Sequence, residues 1–210
     1  MTEPLTVAFP KGRIAAPLAR LFSRPPLEIA AFAGRGLVVD VPEKALRFLL
    51  LKDFDVPTYV RRGAAELGIA GSDVLAEKEC DLPRPLEFPF GRCRFSLLAP
   101  ESGRQRFPEG RAVRVATKYV RLTRDYFDQK GMAADIVPLA GSVEIAPRMN
   151  LAEMVADLVD TGETMRANGL SEVEKICDVS PHLVVSRAAL ARRRRDVFAF
   201  LEVLEGMLAS

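Results

Sequence analysis

Short apolar runs rich in β-branched residues recur along the chain, with helical patterns between several of them. LTVAF at 5–9, LVVDV at 37–41, LGIAG at 67–71 and RFSLLA at 94–99 read as buried strands. RVAT at 114–117, ADIVPL at 134–139, MVADLV at 154–159 and HLVVS at 182–186 have the same character. Strands alternating with helices predict an α/β architecture with largely parallel sheets covered on both faces. The punctuation agrees. Pro57 suits the first turn of a helix over PTYVRR, and Gly63 can end it. In GIAGSDVLAEKE, Ser72 or Asp73 reads as an N-cap with acidic residues in the turn that follows. RAALARRRRDVFAFLEVLEGMLAS predicts a long C-terminal helix with an apolar stripe at Phe198, Leu201, Leu204 and Leu208. ESGRQRFPEGR at 101–111 concentrates Gly, Pro and charge, as a turn within a domain or beside a hinge does.

The 210 residues allow one domain or two small ones, each with a real core. A formal net charge of +2 singles out no partner. The N-terminus has no basic stretch ahead of an apolar one, and no segment approaches the ~18 apolar residues of a spanning helix, so a cytoplasmic protein is expected, without a membrane. Cys80, Cys93 and Cys177 are far apart in sequence and odd in number, which suggests neither a disulfide framework nor paired metal ligands. His182 is the only histidine, which excludes a multi-histidine metal site and disfavours a histidine-based triad.

MVADLVDTGETMRANG is the most informative stretch. An apolar run carrying Asp157 leads into Asp160, Thr161, Gly162, Glu163 and Thr164 and then into a helical pattern. A strand, a small-residue turn and a helix start in that order gather unpaired backbone N–H groups and two hydroxyls, which suits a phosphate. Gly162 lets the backbone approach the anion with no Cβ in the way. The alternative is a capped turn after a strand. The segment resembles the phosphoribosyl pyrophosphate (PRPP) signature of phosphoribosyltransferases, except that Ala156 and Asp157 stand where that signature has two adjacent acids.

Other segments extend the resemblance. LTVAFPKGRI, DVPTYVRRGAAELGIAGSDVL, FGRCRFSLLAP, RVATKY and GSVEIAPRMNLAEMVADLVDTGETMRANGLSEVEKI fall in the order seen in ATP phosphoribosyltransferases, from residue 5 to about residue 190. GSVE, DLVDTGET and RANGL together are specific to that family. The chain is similar to its short form, which lacks the histidine-binding regulatory domain. The resemblance implies two α/β domains like the type II periplasmic-binding-protein fold, with the active site in the cleft between them. Domain I would comprise residues 1–92 and 177–210, and domain II residues 93–176 with the PRPP loop.

The implied reaction joins ATP, through adenine N1, to PRPP and releases pyrophosphate, with Mg²⁺ accompanying the substrate phosphates. Such chemistry positions two polyanions and stabilises a leaving group, which calls for cations and backbone donors more than for a protein nucleophile. For PRPP the resemblance implies Asp157 toward the ribose hydroxyls and Asp160–Thr164 around the 5′-phosphate, with Glu144 and Glu153 as further candidates. Lys11, Gly12 and Arg13 follow a strand and could face pyrophosphate or the ATP triphosphate. Arg35 and Lys52 occupy positions usually basic in the family and are implied leaving-group contacts, although Asp53 follows Lys52 where relatives commonly have proline. Gly71, Ser72 and Asp73 offer a second turn at a helix start for ATP or pyrophosphate. The implied partner is a regulatory subunit related to histidyl-tRNA synthetase, in a hetero-oligomer built on a homodimer.

Three other readings compete. Arg187 and Arg192–Arg195 raise nucleic-acid binding, but the near-neutral balance and the lack of an aromatic-interleaved basic platform read as a solvated helix face. A small-ligand receptor would share the fold. A conventional base phosphoribosyltransferase would carry the acid pair that is missing here.

Overall fold

The computed structural model describes residues 3–29, 32, 36–101 and 111–209. The chain divides into two compact units, 1–91 with 180–210, and 92–179. The return falls at Ser180, not at residue 177, because the last strand of the second unit keeps pairing as far as Val179, opposite Cys93.

The first unit holds a six-stranded sheet. Its strands are β1 (Leu5–Lys11), β2 (Val38–Val41), β3 (Leu46–Lys52), β4 (Leu67–Gly71), β5 (Leu86–Glu87) and β11 (Pro181–Val185), in the order β2-β3-β1-β4-β11-β5. β3, β1 and β4 run parallel, whereas β2, β11 and β5 pair antiparallel with their neighbours. The sheet is therefore mixed, not largely parallel. One face packs on α1 (Ala15–Phe22) and the C-terminal α7 (Arg194–Ala209), with Phe9, Phe22, Phe48 and Leu204 at its centre. Phe22 and Phe48 meet edge to face at 5.5 Å and are fully buried, each contributing about 2 kcal/mol through removal from water. The other face carries α2 (Val56–Arg61) and α3 (Ser72–Glu77), with Ala8, Val60, Leu75 and Val184 in contact.

The stripe of α7 is offset from the sequence reading. Val197, Phe200, Leu201, Leu204 and Met207 are buried, while Phe198 is 44% exposed and lies under the Arg194 guanidinium at 5.3 Å. With 3.6 residues per turn, a face through 197, 200, 204 and 207 turns 198 outward. A short helix, α6 (Arg187–Arg192), precedes α7.

The second unit holds β6 (Cys93–Pro100), β7 (Val113–Thr117), β8 (Ala134–Pro138), β9 (Met154–Val159) and β10 (Leu170–Val179), in the order β10-β6-β9-β7-β8. β8, β7 and β9 are parallel; β6 and β10 reverse direction. α4 (Val120–Gln129) and α5 (Glu163–Ala167) follow β7 and β9. Most of the 101–111 loop lies outside the described residues.

Candidate functional site

In the first unit the parallel strands end side by side. Register pairs Lys11 with Lys52, so two exposed ammonium groups leave neighbouring strands whose backbones are about 5 Å apart. Two cations leaving paired positions offer an anion two points of attachment at one strand end. Gly12 turns the chain there: the Ala15 N–H donates to its carbonyl at 3.0 Å. Arg13 is exposed beside this turn, with its Nη1 donating to the Gly91 carbonyl at 2.5 Å. Arg35 lies outside the described residues.

The turn after β4 differs from the sequence reading. Gly71, not Ser72 or Asp73, occupies the cap position, and no side chain caps α3. Asp73 is buried and folds back over Gly71; a Cβ on Gly71 would sit 2.0 Å from Asp73 Oδ1, so any larger residue would displace the Asp73 carboxylate. The Ser72 N–H donates to the Ser180 carbonyl at 2.9 Å, and the Ser72 hydroxyl accepts the Ser180 N–H at 3.1 Å. Both bonds fasten the turn to β11. Ser180 in turn meets the only histidine, its hydroxyl 3.1 Å from His182 Nε2, and burial lowers the pKa of that imidazole.

In the second unit the parallel strands β7, β8 and β9 again end on one edge. Asp157 is half-buried on β9, opposite Ser96 of β6. Asp160 and Thr161 are exposed on the turn that follows, and Glu163 and Thr164 are exposed on the first turn of α5. Gly162 has φ 77°, the left-handed region that favours glycine, and forms the N-cap of α5. The loop is organised from within: the Glu163 N–H approaches Thr161 Oγ1 at 3.4 Å, and Arg166 Nη2 donates to the Thr161 carbonyl at 3.1 Å.

Glu144 belongs to the same edge. It follows β8 on a short 3-10 turn, and its neighbour Val143 packs with Val155, Val159 and the α5 residue Met165. Glu153 does not. It precedes β9, at the strand end opposite the loop, where Arg111 and the Arg114 N–H hold its carboxyl down to a pKa of about 2. Its acid is taken up by a structural ion pair.

Two features escaped the sequence reading. Arg94 of β6 grips both oxygens of Glu172 through Nε and Nη2 at 2.7–3.0 Å and reaches the Asp160 carbonyl with Nη1 at 3.3 Å. Ser96 Oγ donates to the same carboxylate at 2.8 Å. Thr117, fully buried at the end of β7, donates to the Ala156 carbonyl at 2.7 Å and accepts the Tyr119 N–H at 2.9 Å. It thereby fixes the residue before Asp157. The cue for Thr117 was its place at the end of an apolar run before a helical pattern; nothing in sequence joined Arg94 to a residue 78 positions away.

Two mixed α/β units joined by two chain crossings define the class of folds to which periplasmic binding proteins belong. The aliphatic sulphonate binding protein SsuA of Escherichia coli superposes on all of this chain and 70% of its own, with a TM-score of 0.60 at 13% identity. The family is narrower. The family model described as "HisG: ATP phosphoribosyltransferase" matches residues 52–206. An ATP phosphoribosyltransferase of Anaeromyxobacter sp. strain K is 43% identical over all of this chain and 96% of its own, and one from Geobacter metallireducens is 40% identical over 98% and 99%. The solved ATP phosphoribosyl transferase (HisG:HisZ) complex from Thermotoga maritima contains a chain with TM-score 0.85 and 33% identity, covering 98% of both. This chain belongs to the ATP phosphoribosyltransferase family.

Proposed function

We propose that the chain joins ATP to PRPP, the first step of histidine biosynthesis, and that its two strand-end edges hold the two substrates' phosphates. Family membership over the full length carries the activity. The glycine-capped loop after β9 supports the assignment of PRPP to the second unit. In this reading Asp160–Thr164 wrap the 5′-phosphate with backbone donors and hydroxyls, and Asp157 accepts the ribose hydroxyls. Glu144 supports that loop. Lys11 and Lys52 meet the phosphates of ATP or of the departing pyrophosphate, and Gly12 lets the backbone near them. The Gly71–Asp73 turn shapes the same edge.

Adenine N1 attacks the anomeric carbon, a C–N bond forms, the bond to pyrophosphate oxygen breaks, and the N6 proton is lost. The protein aligns the reactants and neutralises charge on the leaving group. Among the described residues no group of three His, Cys, Asp or Glu side chains stands ready to hold a metal. Mg²⁺ would come with the substrate phosphates, and Asp157 and Asp160 are acids of the loop that could reach it. Bound Mg²⁺ would screen the pyrophosphate charge. A HisZ-type subunit, as named in the Thermotoga maritima complex, is the proposed partner. No helix among the described residues is long and apolar enough to cross a membrane.

The test is product formation from ATP, PRPP and Mg²⁺, with and without a HisZ-type subunit, followed by mass spectrometry and ultraviolet absorbance. Phosphoribosyl-ATP that disappears in a folded Asp157→Ala, Thr161→Ala variant is the expected result. Absence of product under both conditions, with no PRPP binding by calorimetry, overturns the assignment.

A further inference from the structure

Cys93 and Cys177 are separated by most of the second unit in sequence, yet register brings them together. Cys93 opens β6 opposite Val179, and Cys177 lies opposite Phe95. Residues directly opposite share a face of the sheet, as do residues two apart on one strand. Cys93, Phe95, Cys177 and Val179 therefore form a quartet on one face, with the two thiols at diagonal corners. Both are half-exposed, whereas Cys80 is buried at 3% and its thiol pKa is raised by desolvation.

Diagonal neighbours on antiparallel strands lie about 7–8 Å apart at Cα, with the Cβ atoms nearer. A disulfide closes at Cα separations up to about 6.8 Å, so closure needs the strands to shift by up to about 1 Å. The strands provide for it. A register shift between Lys175 and Cys177 marks a bulge immediately before Cys177, and bulges increase local twist. Cys93 is the first residue of its strand and Cys177 lies two residues from the end of its own, so the pair sits near the end of the ladder.

We propose that Cys93 and Cys177 form a vicinal dithiol that small disulfides convert to an intrachain disulfide between β6 and β10. One thiolate attacks the small disulfide, forming a mixed disulfide and expelling one thiol. The second thiolate attacks the protein sulfur of that mixed disulfide and expels the other. Two electrons and two protons pass from the protein to the reagent, which leaves as two thiols. The closed bond fastens together the strands at which the chain enters and leaves the second unit.

The full-length chain is incubated with 4,4′-dithiodipyridine and read by absorbance of released thiopyridone, intact mass and peptide mapping. The expected result is two thiols released per chain, a mass lower by about 2 Da than the reduced chain, and one peptide pair joined through Cys93 and Cys177. Cys93→Ser and Cys177→Ser should each stop at a mixed disulfide on the remaining half-exposed thiol. Mixed disulfides persisting on both cysteines of the wild type, a link involving Cys80, or unreacted Cys93 and Cys177 would each overturn the proposal.

Discussion

Replacing Arg94 with alanine tests whether a guanidinium fork on β6 holds the start of the loop after β9. Three contacts to Glu172 lie at 2.7–3.0 Å, and one to the Asp160 carbonyl at 3.3 Å. The fork's hydrogen bonds, led by those from Arg94, lower the pKa of Glu172. Hydrogen bonds to charged groups contribute about 1.5–3 kcal/mol. The Arg94 and Glu172 side chains are 33% and 26% exposed, so solvent screening reduces the expected stability cost to about 1–2 kcal/mol. At about 2–4 °C per kcal/mol for a chain of this size, Tm falls by roughly 2–8 °C. The long bond to Asp160 is worth on the order of 0.5 kcal/mol, which corresponds to a twofold to threefold rise in KM for PRPP. kcat should change little, since Arg94 positions the loop and touches no reacting atom. Calorimetric melting and initial rates at varied PRPP measure both effects. Glu172→Gln closes a double-mutant cycle, and the pair should be strongly non-additive. An unchanged Tm with additive single mutants would refute the fork's role, and an unchanged KM for PRPP would refute its hold on the loop.

Gly162→Ala forces a Cβ into φ 77° and to within 2.9 Å of Arg166 Nη1, so a stability loss of about 1 kcal/mol and weaker PRPP binding by calorimetry are expected. Arg193→Ala removes donors to the Glu3 and Pro4 carbonyls, Glu66 and Asp196 from a side chain only 20% exposed, and should cost about 2–3 kcal/mol in urea unfolding. Arg192→Ala, on an exposed residue, should stay within about 0.5 kcal/mol. Glu153→Gln should lower Tm at neutral pH. Because the folded pKa of Glu153 is depressed to about 2 from 4.5, its contribution is full above the unfolded value and lost as pH falls toward 2, so the two melting curves should converge across that window.

Strands buried on both faces, such as LGIAG, were legible as continuous apolar runs, and the half-exposed β2 and β8 were legible through their β-branched residues. β10, LSEVEKICDV, did not show itself: as an edge strand it is charged and bulged, as free edges commonly are. β3 was also missed, although LRFLLLK is apolar, because its run merges with the turn before it. At the site, the PRPP loop was legible since strand, glycine and helix start are contiguous. Glu153 came in with the family resemblance as a further candidate, but six strand residues carry the chain from its end of the sheet to the loop. Arg193 was hidden in the run Arg192–Arg195, whose composition says nothing about which cation turns inward. Ser72 looked like a cap, and its partner Ser180 lies 108 residues away.

The place of β11 in the first sheet has a consequence for biosynthesis. β11 lies between β4 and β5, and among the described residues β5 pairs with no other strand. When residue 91 leaves the ribosome, the first unit therefore has strands on either side of a vacant position, and the helix that covers Phe22 and Phe48 has not been made. The second unit is contiguous and can complete its sheet as soon as β10 emerges. Completion of the second sheet is thus open to the chain before completion of the first, the reverse of the usual N-to-C order of cotranslational folding. Until translation reaches β11, β4 lacks its antiparallel partner, so a pause downstream of residue 179 is expected to lengthen the exposure of that apolar edge to chaperones and to neighbouring nascent chains.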